Sequence, residues 1–434
     1  MTTTKNNEHK KLNFSSEREQ SQACLNSAEH EKNQGRKVLN VPNLRFPEFQ
    51  GEWEEERLAD IADLYKGTGI SKDQLSDDGE PCILYGELYT KYKSETIGEV
   101  ISKTNIDNTK LVRSKANDVI IPCSGETAED IATARCVLNG NILLGGDLNI
   151  IRLHGYDGAF MSYQLNGRRK YDIAKVAQGV SVVHLYGEHL KGVKTINPCL
   201  EEQKKIAKLL SLIDERIATQ NKIIEDLKKL KSAIIENVFD DKHSERLQLD
   251  NVGSYIRGLT YSSNDIVEHG GTLVMRSNNI INGSLIDYNN NVVFVNKQMS
   301  AEQQLQNGDV VICMANGSSS LVGKSSFYDG NWHSSITVGA FCGIYRSKEP
   351  IVKWLFQTNK YRRYIWNSLQ GGNGAIANLN GEDILNMSFS IPNAPIKDTC
   401  VKMLTSVDSA LENNMSLCAL YTLQKQHLLR QMFI

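Results

Sequence analysis

Few of the 434 residues combine the types and spacing that catalysis requires. Residues 197–199 read Asn-Pro-Cys, so Cys199 stands where the Asn-Pro-Pro-Tyr loop of an adenine methyltransferase needs its second proline. Residues 323–325 read Gly-Lys-Ser, the end of a phosphate-binding loop. The glycine that this loop needs at position 318 is Ser318, and Gly317 is one residue too early to form the phosphate cradle. The sequence therefore argues against a methyltransferase or ATPase site.

Histidines and cysteines do not form a metal-binding pattern either. His184 and His189 have no cysteine or helical carboxylate pair beside them, so we interpret them as hydrogen-bonded surface residues. No two of the nine cysteines are spaced as Cys-x-x-Cys, and most are flanked by apolar residues, which is typical of small buried thiols. We expect no catalytic residue, no metal and no cofactor in this chain.

Residues suited to binding nucleic acid are more evident. Residues 360–364 read Lys-Tyr-Arg-Arg-Tyr and residues 168–171 read Arg-Arg-Lys-Tyr, so two segments interleave cationic and aromatic side chains. Lys and Arg neutralise phosphates, and Arg also pairs bidentately with guanine edges. The alternative for both segments is a solvated helix face whose aromatic rings enter the core.

Glycine-bearing loops and strand ends supply further candidates, because small residues let the backbone approach the sugar–phosphate wall while polar side chains reach base edges. Glu87 suits cytosine, Arg276 suits guanine and Asn278 suits adenine. A flexible turn is the equal alternative for residues 371–374. The predicted DNA contacts are Lys66, Glu87, Ser124, Glu126, Arg168, Arg169, Lys170, Tyr171, Ser181, Arg257, Arg276, Asn278, Asn316, Ser318, Tyr361, Arg362, Arg363 and Asn373.

Composition limits the size of any such surface. The 49 Lys and Arg residues against 51 Asp and Glu give a net charge of −2, which excludes a wholly basic nucleic-acid-binding protein. No apolar run approaches the 18 or so residues of a membrane helix. The odd cysteine count and the lack of a signal peptide favour a reducing cytoplasm. Residues 1–40 are polar and poor in apolar side chains, so we expect a disordered extension.

An internal repeat organises the remaining sequence. Residues 117–121 (Asn-Asp-Val-Ile-Ile) match residues 308–312 (Gly-Asp-Val-Val-Ile) at an offset of 191 residues. Leu185 and Asp214 match Leu379 and Asp408 at an offset of 194 residues, a drift that short loop insertions would produce. The chain is therefore predicted to be a tandem duplication.

Each half has a front part and a back part. The front parts carry short runs of Val, Ile, Tyr and Cys broken by Gly, Asn and Asp, which indicates strands and turns. We predict an α+β module with a mostly antiparallel sheet in each. The predicted domains are an extension at 1–40, a first recognition domain at 41–199, a long helix at 200–240, a second recognition domain at 241–393 and a second long helix at 394–434.

The back parts are long helices with an apolar seam. Residues 200–239 contain no Gly or Pro, and apolar residues recur in steps of four and three, the 3.5-residue period of a coiled coil. Gln220 and Lys231 interrupt the seam, and the second copy has Asn414 and Lys425 at the same places. We predict an intramolecular antiparallel pair. The alternatives are packing of each helix on its own module and coiled-coil dimerisation between chains. The predicted seam residues are Ile206, Leu210, Ile213, Ile217, Leu404, Val407 and Leu411.

The plan and its motifs resemble those of type I restriction-modification specificity subunits. Residues 200–203 read Leu-Glu-Glu-Gln at the start of the first long helix, as in the central helix of that family. Residues 44–49 (Leu-Arg-Phe-Pro-Glu-Phe) and the Gly-Asp-Val/Ile strand starts also resemble it, and the resemblance spans residues 41–434. The second helix departs from the pattern, since residues 394–397 read Ala-Pro-Ile-Lys. If the Glu-Glu-Gln triplet docks a partner, the two partner sites are not equivalent.

The resemblance implies a non-catalytic subunit whose two domains each read one half of a bipartite double-stranded DNA target. It also implies that the helix pair fixes the gap and seats two adenine-methylating modification subunits, and that restriction motor subunits complete the complex. S-adenosylmethionine, ATP and Mg are expected on those partners. The residues support an asymmetric target independently, because the two modules share a framework while their loops differ. A DNA-modifying or DNA-cleaving enzyme and a coiled-coil scaffold without a DNA role are the alternatives.

Overall fold

The structure, a computed structural model, describes residues 40–107, 109–179, 182–239, 245–288, 290–369 and 377–434. Residues 1–39 of the predicted extension lie outside the described residues. The chain forms two compact units. The first comprises residues up to 211 together with residues 427–434, and the second comprises residues 212–426. No helix among the described residues is long and apolar enough to cross a membrane.

The first unit contains one module. Its strands are β1 (Glu54–Arg57), β2 (Ala62–Lys66), β3 (Leu75–Ser76), β4 (Glu80–Ile83), β5 (Thr96–Ile97), β6 (Ser102–Thr104), β7 (Val112–Arg113), β8 (Asp118–Pro122), β9 (Ser124–Gly125), β10 (Arg135–Val137), β11 (Leu143–Leu144), β12 (Leu148–Leu153), β13 (Val183–His184) and β14 (Lys194–Asn197). Its helices are α1 (Leu58–Ile61), α2 (Glu87–Thr90), α3 (Ala128–Ile131), α4 (Gly158–Asn166), α5 (Lys170–Val176) and α6 (Gly187–Lys191), and the long helix α7 (Leu200–Val238) begins here.

Two five-stranded sheets form the body of this module, in the orders β2-β12-β8-β10-β5 and β3-β6-β4-β11-β7. Side chains alternate across β8, as the period of two requires. Val119 and Ile121 pack in one cluster with Met161 and Leu165 of α4. Ile120 packs in another cluster with residues of the second sheet. Burial on both faces explains why β8 is a continuous apolar run rather than an alternating one.

The second unit contains the other module. Its strands are β15 (Glu245–Gln248), β16 (Gly253–Arg257), β17 (Ile266–Val267), β18 (Thr272–Met275), β19 (Val293–Val295), β20 (Val310–Cys313), β21 (Ala315–Asn316), β22 (Ser325–Phe327), β23 (Ile336–Val338), β24 (Cys342–Ser347), β25 (Ala377–Asn378) and β26 (Ser388–Ile391). Its helices are α8 (Leu249–Val252), α9 (Val352–Leu355), α10 (Asn359–Leu369), α11 (Gly381–Leu385) and the long helix α12 (Ala394–Met432), whose last residues belong to the first unit.

The two modules share one topology. The order β16-β24-β20-β22 in the second repeats β2-β12-β8-β10 in the first. β18 pairs with β23 in parallel, as β4 does with β11, and the strand pair β21-β25 repeats β9-β13. The predicted α+β fold with tandem modules is therefore confirmed.

The repeated Gly/Asn-Asp-Val strand start has a structural explanation. Arg152 donates to Asp118 from Nε and Nη2 over 2.8 and 2.7 Å, and Arg346 donates to Asp309 in the same way over 2.9 and 2.7 Å. Both carboxylates are buried, and both also accept a backbone N–H from three residues upstream. A planar guanidinium satisfies a buried carboxylate through two parallel hydrogen bonds, so each motif fixes a turn to the central sheet.

The Leu-Glu-Glu-Gln start of α7 attaches the helix to the first module. Glu202 is fully buried and accepts two hydrogen bonds from Arg45, of 2.8 Å from Nε and 2.7 Å from Nη2. The Gln203 side chain accepts from the Asp157 backbone N–H and donates to the Pro198 carbonyl. The two sequence motifs that carried the family resemblance are therefore joined by a buried ion pair. This supports an anchoring role for Glu202 and Gln203, whereas Glu201 is exposed.

Within the second unit, α7 and α12 pack against each other in opposite directions. Lys231 lies 2.7 Å from Asp408, whereas Asp214, earlier on α7, lies 2.6 Å from Lys425, later on α12. Gln220 donates to Asn414, its own repeat equivalent 194 residues away. Such reciprocal contacts require a local twofold relation between the paired helices. The predicted intramolecular antiparallel coiled coil is confirmed.

The predicted seam residues fall in several apolar clusters. Ile206 and Leu210 pack with Met432 and Phe433 in the first unit. In the second unit, Val407 and Leu411 pack with Ile224, and Leu404 packs in the apolar core of module two. Ile213 is buried and Ile217 is half-buried. The same apolar seam therefore packs the helices against each other and against the modules.

Candidate nucleic-acid interface

The ends of four strands meet at one edge of each module. In the first module, the chain leaves β2, β4, β8 and β11 at this edge, since Asn149 pairs with Lys66 and Leu148 pairs with Pro122. We call residues 66–68, 84–86, 123–126 and 145–147 the loop edge of module one. The equivalent strands in module two are β16, β18, β20 and β23. The segments at their ends are residues 257–259, 276–278, 314–318 and 339–341, which we call the loop edge of module two. Loops supported by a rigid sheet are common places for binding residues.

Part of the predicted set in module one lies on its loop edge. Lys66 and Glu126 are exposed there, and the Nζ atom of Lys66 is 3.8 Å from Asp147. Ser124 is buried, and its backbone pairs with His184, so its hydroxyl is a poor candidate for reading a base. Ser181 lies outside the described residues.

Glu87 was a wrong choice as a base reader, because its carboxylate is buried and fully engaged. It lies 2.6 Å from the Lys91 ammonium, accepts the Leu84 backbone N–H at 3.0 Å and accepts the Ser102 hydroxyl. The strand register gives an offset of 192 residues here, since Ile83 and Met275 occupy equivalent places beside Leu144 and Val338. The offset of 191 residues found for residues 117–121 would instead place Glu87 opposite Asn278.

The corrected offset places Glu87 opposite Asn279. Asn279 is also buried, and it accepts the Arg276 backbone N–H from the equivalent position three residues upstream. Both side chains therefore hold the first turn after a strand. Asn278, one residue earlier, is exposed on the loop edge of module two.

Five of the predicted contacts in module two, Asn278 among them, share that loop edge. Arg257 and Ser318 are exposed, and Asn316 donates to the Ser277 hydroxyl at 3.3 Å, which joins two of the loops. The Nη2 atom of Arg276 donates to the Asn291 carbonyl at 2.9 Å. Its Nε atom is buried without a hydrogen-bond partner in the described part of the chain. A guanidinium has five N–H donors, so this partly held side chain keeps donors for a ligand.

The basic–aromatic segment of module one is divided between structural and exposed residues. Arg168 donates to the Arg430 carbonyl at 2.8 Å, and Arg169 donates to the Ile434 carbonyl at 3.4 Å and lies 3.4 Å from Asp172. Cations at a helix C-terminus complement its free carbonyls, so both arginines stabilise the end of α12. Lys170 pairs with Glu129, and Tyr171 is 75% exposed. Sequence analysis missed the α12 partner because it lies some 260 residues away.

In module two the corresponding segment lies on α10. Arg362 and Arg363 are exposed, and Arg362 donates to the Asn359 side chain at 3.2 Å. Arg362 and Lys324 line the same cavity, beside Ser319 and Ser320, which follow the loop edge. This arrangement places positive charge beside Ser319 and Ser320, next in sequence to the loop edge. Asn373 lies outside the described residues.

Tyr361 was a wrong choice as a DNA contact. It is 2% exposed, its ring packs against Phe356, and its hydroxyl donates to the Gly323 carbonyl at 2.8 Å. Burial also raises the pKa of this phenol. The sequence did not indicate that Tyr361 faces inward, because both of its neighbours, Lys360 and Arg362, are charged.

We predict that Tyr361→Phe lowers the free energy of unfolding by about 1–2 kcal/mol, because the buried Gly323 carbonyl loses its donor. Urea denaturation checks this. Tyr171→Phe, at an exposed position, is the matched control and should change stability by less than about 0.5 kcal/mol. A Tyr361→Phe protein as stable as the parent would show that water replaces the hydroxyl.

The first module is similar to a known family of domains. Residues 50–229 match the family model described as type I restriction modification DNA specificity domain. The first module is therefore similar to this domain, over a match that covers less than half of the chain. The resemblance predicted from its motifs is confirmed, and the match includes the Leu-Glu-Glu-Gln start of α7.

Named relatives point to the same kind of protein. The specificity domain region is similar to the type I restriction enzyme MjaVIII specificity subunit of Methanocaldococcus jannaschii, with 29% identity over 197 residues, 45% of this chain and 43% of the relative. It is also similar to the EcoKI specificity subunit of Escherichia coli, with 34% identity over 153 residues, 33% of this chain and 31% of the relative. The alignments thus span less than half the length of these relatives.

The fold is similar over a longer range. The crystal structure of the S subunit of a type I restriction-modification system from M. genitalium superposes with a TM-score of 0.64 at 16% identity, covering 91% of this chain and 99% of that one. The two-module architecture is therefore shared, including the module that the specificity domain match does not reach.

Proposed function

We propose that the chain is the non-catalytic DNA-specificity subunit of a type I restriction-modification complex. Each loop edge reads one half of an asymmetric, interrupted target in double-stranded DNA. The observation that carries the proposal is a framework shared by the two modules with unlike residues at equivalent loop positions: Gly86 against Asn278 and Asp147 against Phe341. Identical readers would favour a palindrome, whereas unlike readers require two different half-sites.

The antiparallel helix pair is the proposed spacer. Its polar pairs fix one register, so a gap set by these helices would have one length. The number of base pairs within that gap matters for binding, whereas their sequence does not. We propose that the helices also seat two adenine-methylating modification subunits, and that restriction motor subunits join the complex in the cytoplasm. S-adenosylmethionine, ATP and Mg belong to those partners.

Mapping methylated adenines tests the proposal directly. The chain is expressed with its modification subunits in a strain without other methylases, and methylated positions are read from the genome. We expect one asymmetric bipartite motif with an unread gap. A palindromic or uninterrupted motif, or methylation without sequence preference, would contradict the proposal. Methyl transfer or cleavage by the purified chain alone, given DNA, methyl donor and Mg²⁺, would contradict its non-catalytic role.

We predict that Arg362→Ala in the assembled complex lowers the slope of log binding constant against log salt by about one, with similar losses on all DNA sequences. The reason is that an exposed arginine beside the loop edge contacts a phosphate rather than a base. Lys348→Ala is the control, because Lys348 follows the opposite end of β24 and should leave the slope unchanged. An unchanged slope for Arg362→Ala would remove it from the interface.

A further inference from the structure

Phe341 is an exposed aromatic residue at the centre of the loop edge of module two. It occupies the third position of the turn 339–342, in which the Cys342 N–H donates to the Gly339 carbonyl at 2.8 Å. Its side chain is 67% exposed, although phenylalanine usually contributes to cores. An exposed phenylalanine at a strand-end turn carries no evident advantage for folding.

The backbone of this turn is rigidly held. The Phe341 carbonyl accepts the N–H groups of Met314 and Ala315, at 2.8 and 3.1 Å. The Gly258 N–H donates to the Cys342 carbonyl at 3.2 Å, which ties the turn to the end of β16. The ring is therefore presented from a fixed position and not from a loose loop.

Module one has a turn at the equivalent position with a different side chain, and its Asp147 has a positive φ of 57°, which Phe341 does not share. In module one, the backbone carbonyl of Asp147 accepts the Cys123 N–H at 2.7 Å, and the Gly67 N–H donates to the Leu148 carbonyl at 2.9 Å. These two hydrogen bonds are the repeat equivalents of those at Phe341 and Cys342, so Asp147 and Phe341 occupy one position of the framework. The fold accepts a charged carboxylate in one copy and an apolar ring in the other. The left-handed backbone favours an aspartate at position 147, whereas folding does not account for an exposed ring at position 341.

The surroundings of Phe341 suit the edge of a base pair. Phe341 lines a cavity of about 430 Å³ together with Tyr261, Arg276 and Asn278. Arg276 and Asn278 supply hydrogen-bond donors and an acceptor, whereas Phe341 is the large apolar exposed surface among them. In the major groove, the apolar feature that distinguishes base pairs is the 5-methyl group of thymine, and phenylalanine is among the side chains that contact it.

We propose that position 147 in module one and position 341 in module two are equivalent specificity-determining positions, and that Phe341 contacts the 5-methyl group of a thymine in the second half-site. This inference rests on the proposed function, because it assumes that the loop edge faces DNA. It goes beyond it by naming the residue and the chemical group recognised.

Thymine-to-uracil substitution tests the contact, since uracil pairs identically and lacks only the methyl group. The chain assembled with its modification subunits is titrated with duplexes of the mapped target in which each thymine of the second half-site is replaced in turn. We expect about fourfold weaker binding at one position, the effect of one buried methyl group. Phe341→Ala should abolish that difference, while Ile266→Ala, a half-exposed residue on β17, should retain it.

The outcomes separate this inference from the proposed function. Equal binding of every uracil duplex by the parent complex would overturn the contact, as would a second half-site without thymine. An equal loss by Phe341→Ala on thymine and uracil duplexes would also overturn it, and would indicate a ring inserted between base steps. Failure to obtain any sequence-specific methylation would overturn the proposed function, and this inference with it.

Discussion

Asp408→Ala should lower the free energy of unfolding by about 3–5 kcal/mol, because it leaves a buried ammonium without its counter-ion. Asp408 lies 2.7 Å from Lys231 and 3.4 Å from Lys353, and it accepts the Trp354 indole N–H at 3.0 Å. The side chains of Lys231 and Asp408 are 8% and 7% exposed. Burial lowers the pKa of Lys231 in spite of the nearby carboxylate, so the site opposes an isolated charge. Equilibrium urea denaturation measures the loss.

Two variants make this prediction specific. Asp398→Ala removes an exposed carboxylate from the same helix and should change stability by less than about 0.5 kcal/mol. The double variant Lys231→Met with Asp408→Leu replaces the pair by apolar side chains of similar size, and it should recover most of the lost stability. A loss below about 1 kcal/mol for Asp408→Ala would contradict the prediction, since it would mean that solvent reaches Lys231.

Arg276→Ala should reduce discrimination at one base pair of the second half-site by about tenfold to a hundredfold, the effect of losing one bidentate arginine–guanine contact of about 1–3 kcal/mol. The physical reason is that Arg276 is held at the loop edge by Asn291 and keeps unpaired donors beside Asn278. Binding of the assembled complex to targets substituted at each base pair measures it. The profile of the first half-site should be unchanged.

Arg246→Ala is the matched control, because Arg246 is an exposed arginine on β15 in the same unit, where it pairs with β26 and not with the strands of the loop edge. It should alter binding equally at all positions or not at all. If Arg276→Ala weakens binding equally on every target, Arg276 contacts a phosphate and the prediction is wrong.

The sequence alone predicted the duplication, the α+β modules and the long helices, because these depend on periodicities that neighbouring residues carry. The Asp118 and Asp309 motifs and the apolar strands that follow them match between the repeats without reference to the fold. Residue-level prediction of the site was weaker. Strand register corrected the alignment of Glu87 by one residue, and one residue separates a buried turn residue from an exposed one.

Partners distant in sequence explain most of the failures. Arg168 and Arg169 meet carbonyls at the end of α12, and the Tyr361 hydroxyl meets the Gly323 carbonyl. A cationic or aromatic side chain looks the same in a sequence whether it caps a helix, fills a core or faces solvent. Phe341 was not predicted, because only the equivalent turns showed that Asp147 occupies the same position.

In the helix seam, some features follow from residue spacing and others follow from the packing of the two helices. The 3.5-residue period and its polar interruptions at Gln220, Lys231, Asn414 and Lys425 are properties of the sequence, since they follow from spacing alone. Which acid each lysine meets is decided by the antiparallel packing, which brings Lys231 to Asp408 and Lys425 to Asp214. A buried charge is stable only beside its counter-ion, and that neighbour comes from the other repeat.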